Sequence, residues 1–493
     1  MAPTVKIVQG TLEGFEGDGY CAFLGIPYAA APYGARRFAP PAPAPRWEGV
    51  RDATRYGPTA LKRQYPPPFD ALLPDPQIPG DECLNLNVWT PDPGGAGLPV
   101  LVWIHGGAFV YGSGAVADYD GGAFARDGVV CVTLNYRLGV DGFALLDGAT
   151  PNRGLLDQVA ALEWVQGNIA AFGGDPDRVT IAGESAGAMS VTTLLSMPRA
   201  EGLFVRAVAQ SGAGQHCLSA ATAKKVTEEL ATRLGVSPHA KALAEVPLET
   251  LLDAQSALIS DIATNPNPQR WAEITVNTLP FEPVIDGEVV VSMPLDAIRH
   301  SAGATADLLI GTNRDENRLF LVPTGAMDFI DDGLLVLGAG MYGLPSSSVE
   351  RYRAARPGQS PGEVLAAIST DWFFRIPALR VAEARQGAQG RTWAYEFTWP
   401  SPELEGRLGA CHALEIPFVF DNLSSSHSSA LNSGGPQPLA DTMHAAWVRF
   451  AADGDPGWPV YDTARRATMR FDLTSEVIDD PDGDERSLWD GLR

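Results

Sequence analysis

Val179-Thr180-Ile181-Ala182, then Gly183-Glu184-Ser185-Ala186-Gly187, then the apolar run from Met189 to Leu195, is the stretch on which the reading of this chain turns. A short run of β-branched and small residues reads as a buried strand and the run after it as a helix, so the five residues between must reverse the chain in one tight turn. Small neighbours let the backbone double back there. The Ser185 hydroxyl then stands at the strand end, and the N–H of Ala186 points to where negative charge would collect on a substrate oxygen. Ser185 is therefore a candidate nucleophile. The five-residue pattern alone is weak in a chain with 52 glycines, and Gly358-Gln359-Ser360-Pro361-Gly362 repeats it. The repeat fails on chemistry: Pro361 has no N–H to offer, and Arg351 to Gly358 before it is polar and helix-like. Ser360 is read as a turn residue.

Outward from the serine, Pro99 to Ile104 (PVLVWI) and Val129 to Leu134 (VVCVTL) are further buried-strand candidates. Leu155, Val159, Leu162, Val165 and Ile169 step by three and four residues, as one face of a helix requires. Strand, helix, strand in that order predicts an α/β fold with a mostly parallel central sheet flanked by helices. Strands are also expected at Asp307 to Ile310 and Thr392 to Phe397, and a helix near His444 to Phe450. Residues 219–306 and 318–375 read as helical insertions that cap the sheet. No repeat or long linker divides the 493 residues, and length by itself leaves the number of domains open.

A serine nucleophile needs partners. His105-Gly106-Gly107-Ala108 follows the strand PVLVWI, and its glycines could bring the N–H groups of Gly107 and Ala108 beside that of Ala186 as an oxyanion hole. Of the seven histidines, the base must follow the acid in chain order, which leaves His412, His427 and His444. His444 sits in a helix-like run and His427 in the polar stretch SSSHSS, so His412, in a loop, is the expected base. The strand at Asp307 leads to Asp315 and Glu316; residue patterns alone do not separate these two acids.

The charge of -23 speaks against a nucleic-acid or anionic-membrane partner, because neutralising phosphates takes a basic face. The 45% hydrophobic and 19% charged content is that of a globular protein with a sizeable core. Five scattered cysteines suit neither a disulfide framework nor a zinc site. With no signal-like stretch after Met1 and no apolar run long enough to span a bilayer, a reduced, cytoplasmic protein is expected.

Four further motifs appear in order: Phe23-Leu24-Gly25-Ile26-Pro27-Tyr28-Ala29, Asp81-Glu82-Cys83-Leu84-Asn85-Leu86-Asn87, Asn135-Tyr136-Arg137-Leu138-Gly139, and Phe172-Gly173-Gly174-Asp175-Pro176. With them the chain resembles the type-B carboxylesterase and cholinesterase family of α/β-hydrolase fold, from about Gly10 to Asp462. The resemblance implies a single catalytic domain over 1–493 and a serine esterase passing through an acyl-enzyme; no cofactor is expected, and no metal either, because His412 and Glu415, though spaced like a metal-binding pair, have no third ligand. The implied partner is a small-molecule ester, with amides or carbamates as the alternative and a non-catalytic binding relative as the remoter one. It also implies Glu316 as the acid and His412 as the base. Glu184 is implied to stabilise charge on His412, and Ser211 and Glu415 to support the triad from behind. Family members often pair the cysteine at Cys83 with one upstream; here that loop has none, so Cys83 is expected to be free. The stretch from Gln64 to Gly80 lacks the tryptophan on which cholinesterases stack choline, so choline esters are not the expected substrate.

Overall fold

In the computed structural model, residues 2–425 and 429–493 are described; His427 lies outside them. The strands of the main sheet, in chain order, are β1 (Phe15–Glu16), β2 (Cys21–Pro27), β3 (Asn85–Thr90), β4 (Leu98–Ile104), β5 (Val130–Leu134), β6 (Gly174–Glu184), β7 (Arg206–Gln210), β8 (Asp307–Asn313), β9 (Thr392–Phe397), β10 (Ala467–Phe471) and β11 (Glu476–Asp479). Across the sheet they lie in the order β11-β10-β9-β8-β7-β6-β4-β5-β3-β2-β1. From β10 across to β5 every neighbouring pair is parallel, and antiparallel strands close both edges. The central strands are buried along nearly their whole length, which is why they read as continuous apolar runs rather than as alternation.

The predicted stripe forms helix α1 (Arg153–Asn168), and α2 (Ala186–Ser196) follows Ser185 directly. Motif residues explain part of the packing. Arg137, just after β5, clamps Asp157 of α1 through Nε at 2.8 Å and Nη2 at 2.7 Å, with both side chains almost wholly buried. Asn87 of β3 accepts from the Gly25 N–H and donates to Thr133 Oγ1, tying β2, β3 and β5. Such buried polar groups persist because each is satisfied.

Between β7 and β8 the chain forms α3 (Ala220–Leu234) and α4 (Leu248–Thr264) with shorter helical turns. The helical reading of this segment missed a short parallel pairing of Leu218–Ser219 with Val284–Ile285, too brief to leave a periodic signal. Between β8 and β9 lie α5 (Asp332–Met341), α6 (Ser346–Ala355) and α7 (Pro361–Thr370), and α8 (Gln437–Asp453) follows β9. No helix of the described residues is long and apolar enough to cross a membrane.

Register places the site. Gly183 and Glu184 of β6 lie beside Ala209 and Gln210 of β7, and Gln210 lies beside Gly311 of β8. The carboxyl ends of three adjacent strands thus deliver Ser185, Gln210 and the loop bearing Glu316 to one edge of the sheet.

Candidate active site

The turn after β6 is as tight as its composition implies. A Cβ on Gly187 would lie 2.0 Å from Ile104 O, and one on Gly183 would lie 2.6 Å from the carbonyl carbon of Gly187. Ser185 itself holds φ 57° and ψ -124°, a conformation costly for a residue with a side chain. Its N–H is anchored on Gln210 O at 2.9 Å. The strain fixes the hydroxyl at the mouth of the turn.

The structure brings His412 and Glu316 together. His412 Nδ1 lies 2.7 Å from Glu316 Oε2, and Glu316 Oε1 accepts the Asn313 N–H at 2.8 Å. Glu316 is fully buried. Asp315 turns the other way, accepting the Ala410 N–H and facing Arg314 and Arg318, so the geometry separates the two acids as the patterns could not. Ser185, His412 and Glu184 line one cavity of about 980 Å³.

The far nitrogen of His412 is a departure. Nε2 lies 3.1 Å from Glu184 Oε1, and among the described residues no hydrogen bond joins it to Ser185 Oγ. One imidazole is held between two carboxylates. Burial pushes Glu184 up to about 8, partly offset by the neighbouring ring. Burial favours the neutral form of His412 but is outweighed by the carboxylates of Glu184 and Glu316, which lift it to about 9. Groups this close titrate as a pair.

The N–H groups of Gly107, Ala108 and Ala186 donate to no protein acceptor among the described residues, and Gly107 and Ala108 line the cavity beside Ser185. Gly107 has φ 106° and Ala108 φ 53°, so the loop is bent through backbone conformations that residues with a side chain rarely adopt. A Cβ on Gly106 would lie 3.1 Å from that of Ser185, so this loop and the serine turn approach as closely as glycine permits.

Near the His412–Glu316 pair, Glu415 is fully buried, its Oε1 accepting from Gln210 Nε2 at 3.0 Å and its Oε2 from Asn313 Nδ2 at 2.6 Å. Burial raises its carboxyl above the ordinary range. Asn313 also donates to Cys411 O, and Gln210 accepts from Trp447 Nε1. Ser211 Oγ is buried without a partner among the described residues. In the Gln-Ser-Gly motif the glutamine, not the serine, touches the supporting network. Sequence reading named Ser211 and passed over Gln210 and Asn313, although each stands at a strand end, Gln210 next to Ser211 and Asn313 two residues before Asp315.

The rejected candidates lie elsewhere. His444 is buried against Phe124, its Nδ1 facing Val419 O. His105 stacks on Tyr136 with burial drawing it down to about 3, which suits a structural ring at the loop base. Apolar side chains missed from sequence, including Tyr65, Phe69, Phe320 and Phe374, line the cavity, and Phe320 and Phe374 flank the His412 ring. They stand far apart in the chain, and no local period marks them.

Comparison with known proteins bears on the family and the fold. The chain is 37% identical to the para-nitrobenzyl esterase of Bacillus subtilis (strain 168), over 98% of this chain and 97% of that protein. It is 36% identical to the phenmedipham hydrolase of Pseudarthrobacter oxydans, over 93% of each. The crystal structure of a carboxylesterase from Geobacillus stearothermophilus superposes with a TM-score of 0.86 at 39% identity, covering 99% of both chains. The sequence profile of the carboxylesterase family matches residues 1–489. With fold, sequence and the serine turn in agreement, this chain belongs to the carboxylesterase family and is a carboxylic ester hydrolase.

Proposed function

We propose that Ser185 Oγ attacks the ester carbonyl while His412 takes its proton, and that Glu316 orients the ring and stabilises the imidazolium. Negative charge gathers on the former carbonyl oxygen, where the N–H groups of Gly107, Ala108 and Ala186 receive it. Each such donor is typically worth about 3 kcal/mol of barrier. The alkoxide leaves with the proton from His412, and water attacks the acyl-enzyme by the same route. The observation that carries this reading is the pairing of His412 Nδ1 with Glu316 at 2.7 Å in a site that also offers a strained serine and unspent N–H groups. During proton transfer Nε2 exchanges its contact with Glu184 for one with Ser185, and the Glu184 carboxylate then faces the imidazolium.

The whole of 1–493 acts as one catalytic unit in this reading, with 219–306 and 318–375 as the cap. Its support is that Ile259 and Leu279 from the first segment and Phe320 and Phe374 from the second line the same cavity. The five cysteines are all unpaired, which supports a reducing, cytoplasmic setting. The charge of -23 supports a small-molecule partner rather than a nucleic acid. A second reading, carbamate hydrolysis by the same triad, is favoured by the similarity to phenmedipham hydrolase. Rapid quench of p-nitrophenyl ester turnover, followed by peptide mass spectrometry, is expected to find the acyl group on Ser185. An acyl group elsewhere, or none despite a burst, would overturn the assignment. Matched aryl ester and carbamate substrates then rank the two chemistries by kcat/KM.

A further inference from the structure

Two residues far from the triad in sequence form an ion pair inside the protein. Lys62 Nζ lies 2.9 Å from Asp75 Oδ1, with only 1% and 4% of the side chains exposed, and Lys62 also donates to Pro76 O. Burial draws the Lys62 ammonium down and pushes the Asp75 carboxyl up, each opposed by its partner. A buried pair of this kind is a poor source of stability, since desolvation consumes most of the attraction. Its position suggests another use.

Asp75 Oδ1 accepts the backbone N–H of Gly112 at 3.2 Å. Gly112 closes the loop that begins at Gly106: a Cβ there would lie 2.5 Å from Gly106 O and 2.7 Å from His105 Nδ1. Gly107 O accepts the N–H groups of Val110 and Tyr111, so residues 107–112 form one closed turn. Tyr65, between Lys62 and Asp75 in the chain, lays its ring 4.3 Å from that of Tyr111. Two other anchors hold the loop: Phe109 O accepts from Gly139, and beyond Gly112 the Gly114 N–H donates to Asn135. Gly112, which packs back against Gly106 O, is held from outside the loop by Asp75.

We propose that the buried Lys62–Asp75 pair is a positioning element for the oxyanion loop, acting through the Gly112 N–H to hold the Gly107 and Ala108 donors where the developing oxyanion will lie. The proposal rests on the oxyanion assignment above. Lys62 fixes the direction of the carboxylate, and the carboxylate fixes the loop. Misplacing such donors weakens transition-state stabilisation more than ground-state binding, so the loss falls on kcat rather than KM.

The test uses full-length protein and p-nitrophenyl butyrate, with rates expressed per active site titrated by a fluorophosphonate, so that unfolded protein does not count. Asp75→Ala is expected to lower kcat by about 10- to 100-fold, with KM changed less than about 3-fold. Binding of a trifluoromethyl ketone, whose adduct carries the oxyanion, should weaken in parallel. Two double variants separate positioning from mere packing. Lys62→Met with Asp75→Asn is neutral but keeps an acceptor for Gly112, and should recover kcat to within about 3-fold of wild type. Lys62→Met with Asp75→Ala is neutral without the acceptor and should stay slow. Equal rates in the two double variants, or an unchanged kcat in Asp75→Ala, would overturn the proposal, and the double variants keep the comparison open if Asp75→Ala does not fold. A wild type that the phosphonate fails to label would bring down the Ser185 assignment along with it.

Discussion

Gly183-Glu184-Ser185-Ala186-Gly187 and Gly358-Gln359-Ser360-Pro361-Gly362 share one pattern and are opposite structures. Ser185 follows a buried strand and is forced to φ 57°, with its oxygen facing a cavity. Ser360 follows a helical segment at a relaxed φ of -67°, and its oxygen accepts the Glu363 N–H as the N-cap of α7. Glu363 reaches back to the Ser360 N–H at 2.8 Å, completing a capping box. The turn residue expected at Ser360 is thus more specifically a helix cap. What separates the two is what precedes the serine and whether the next residue has an N–H to give. Proline at the first position of a helix costs nothing, because that N–H would be unused; after Ser185 the same N–H is the one the reaction needs.

The contrast breaks most sharply at the serines themselves. Ser185→Ala is expected to lower kcat for a p-nitrophenyl ester by about 10⁴-fold or more, read by steady-state kinetics. Next in size, Glu316→Gln keeps the shape of the acid but loses its charge, and kcat should fall by about 10²- to 10⁴-fold with the chain still folded by circular dichroism. Glu184, the residue before the nucleophile, gives a smaller effect that appears as a pH shift. With neutral His412 as the proposed base, kcat/KM rises with pH as that ring loses its proton. Removing the Glu184 carboxylate takes away a charge that favours the imidazolium, and the rising limb of the pH profile for Glu184→Gln should move to lower pH. A profile that stays in place or moves upward would contradict the coupling. Smallest of all, Ser360→Ala should leave kcat unchanged and cost about 1 kcal/mol of stability, seen as a lowered Tm.

The sheet and the serine turn were legible because both are local. Continuous apolar runs mark β4, β5 and β6, and glycines mark a turn where a Cβ has no room. Chain order left three histidines and a loop setting selected His412 among them, whereas Glu316 came by resemblance. Less legible was anything set by where a side chain points after folding. Ser211 and Gln210 are neighbours, yet only Gln210 reaches Glu415. The contact between Glu184 and His412 Nε2 joins residues brought together by strand register, and the aromatic residues around His412 come from segments with no shared period. Asp75 carries no motif; its importance lies in an N–H that sequence cannot aim.

Residues 185, 316 and 412 stand far apart in the chain, so the proposed nucleophile, acid and base leave the ribosome at widely separated moments. A growing chain that has passed Ser185 lacks the proposed base until residue 412 has been added. Ester turnover is therefore a stringent report of completed folding: a chain cut short before residue 412, or folded only in its first half, should be silent rather than weakly active.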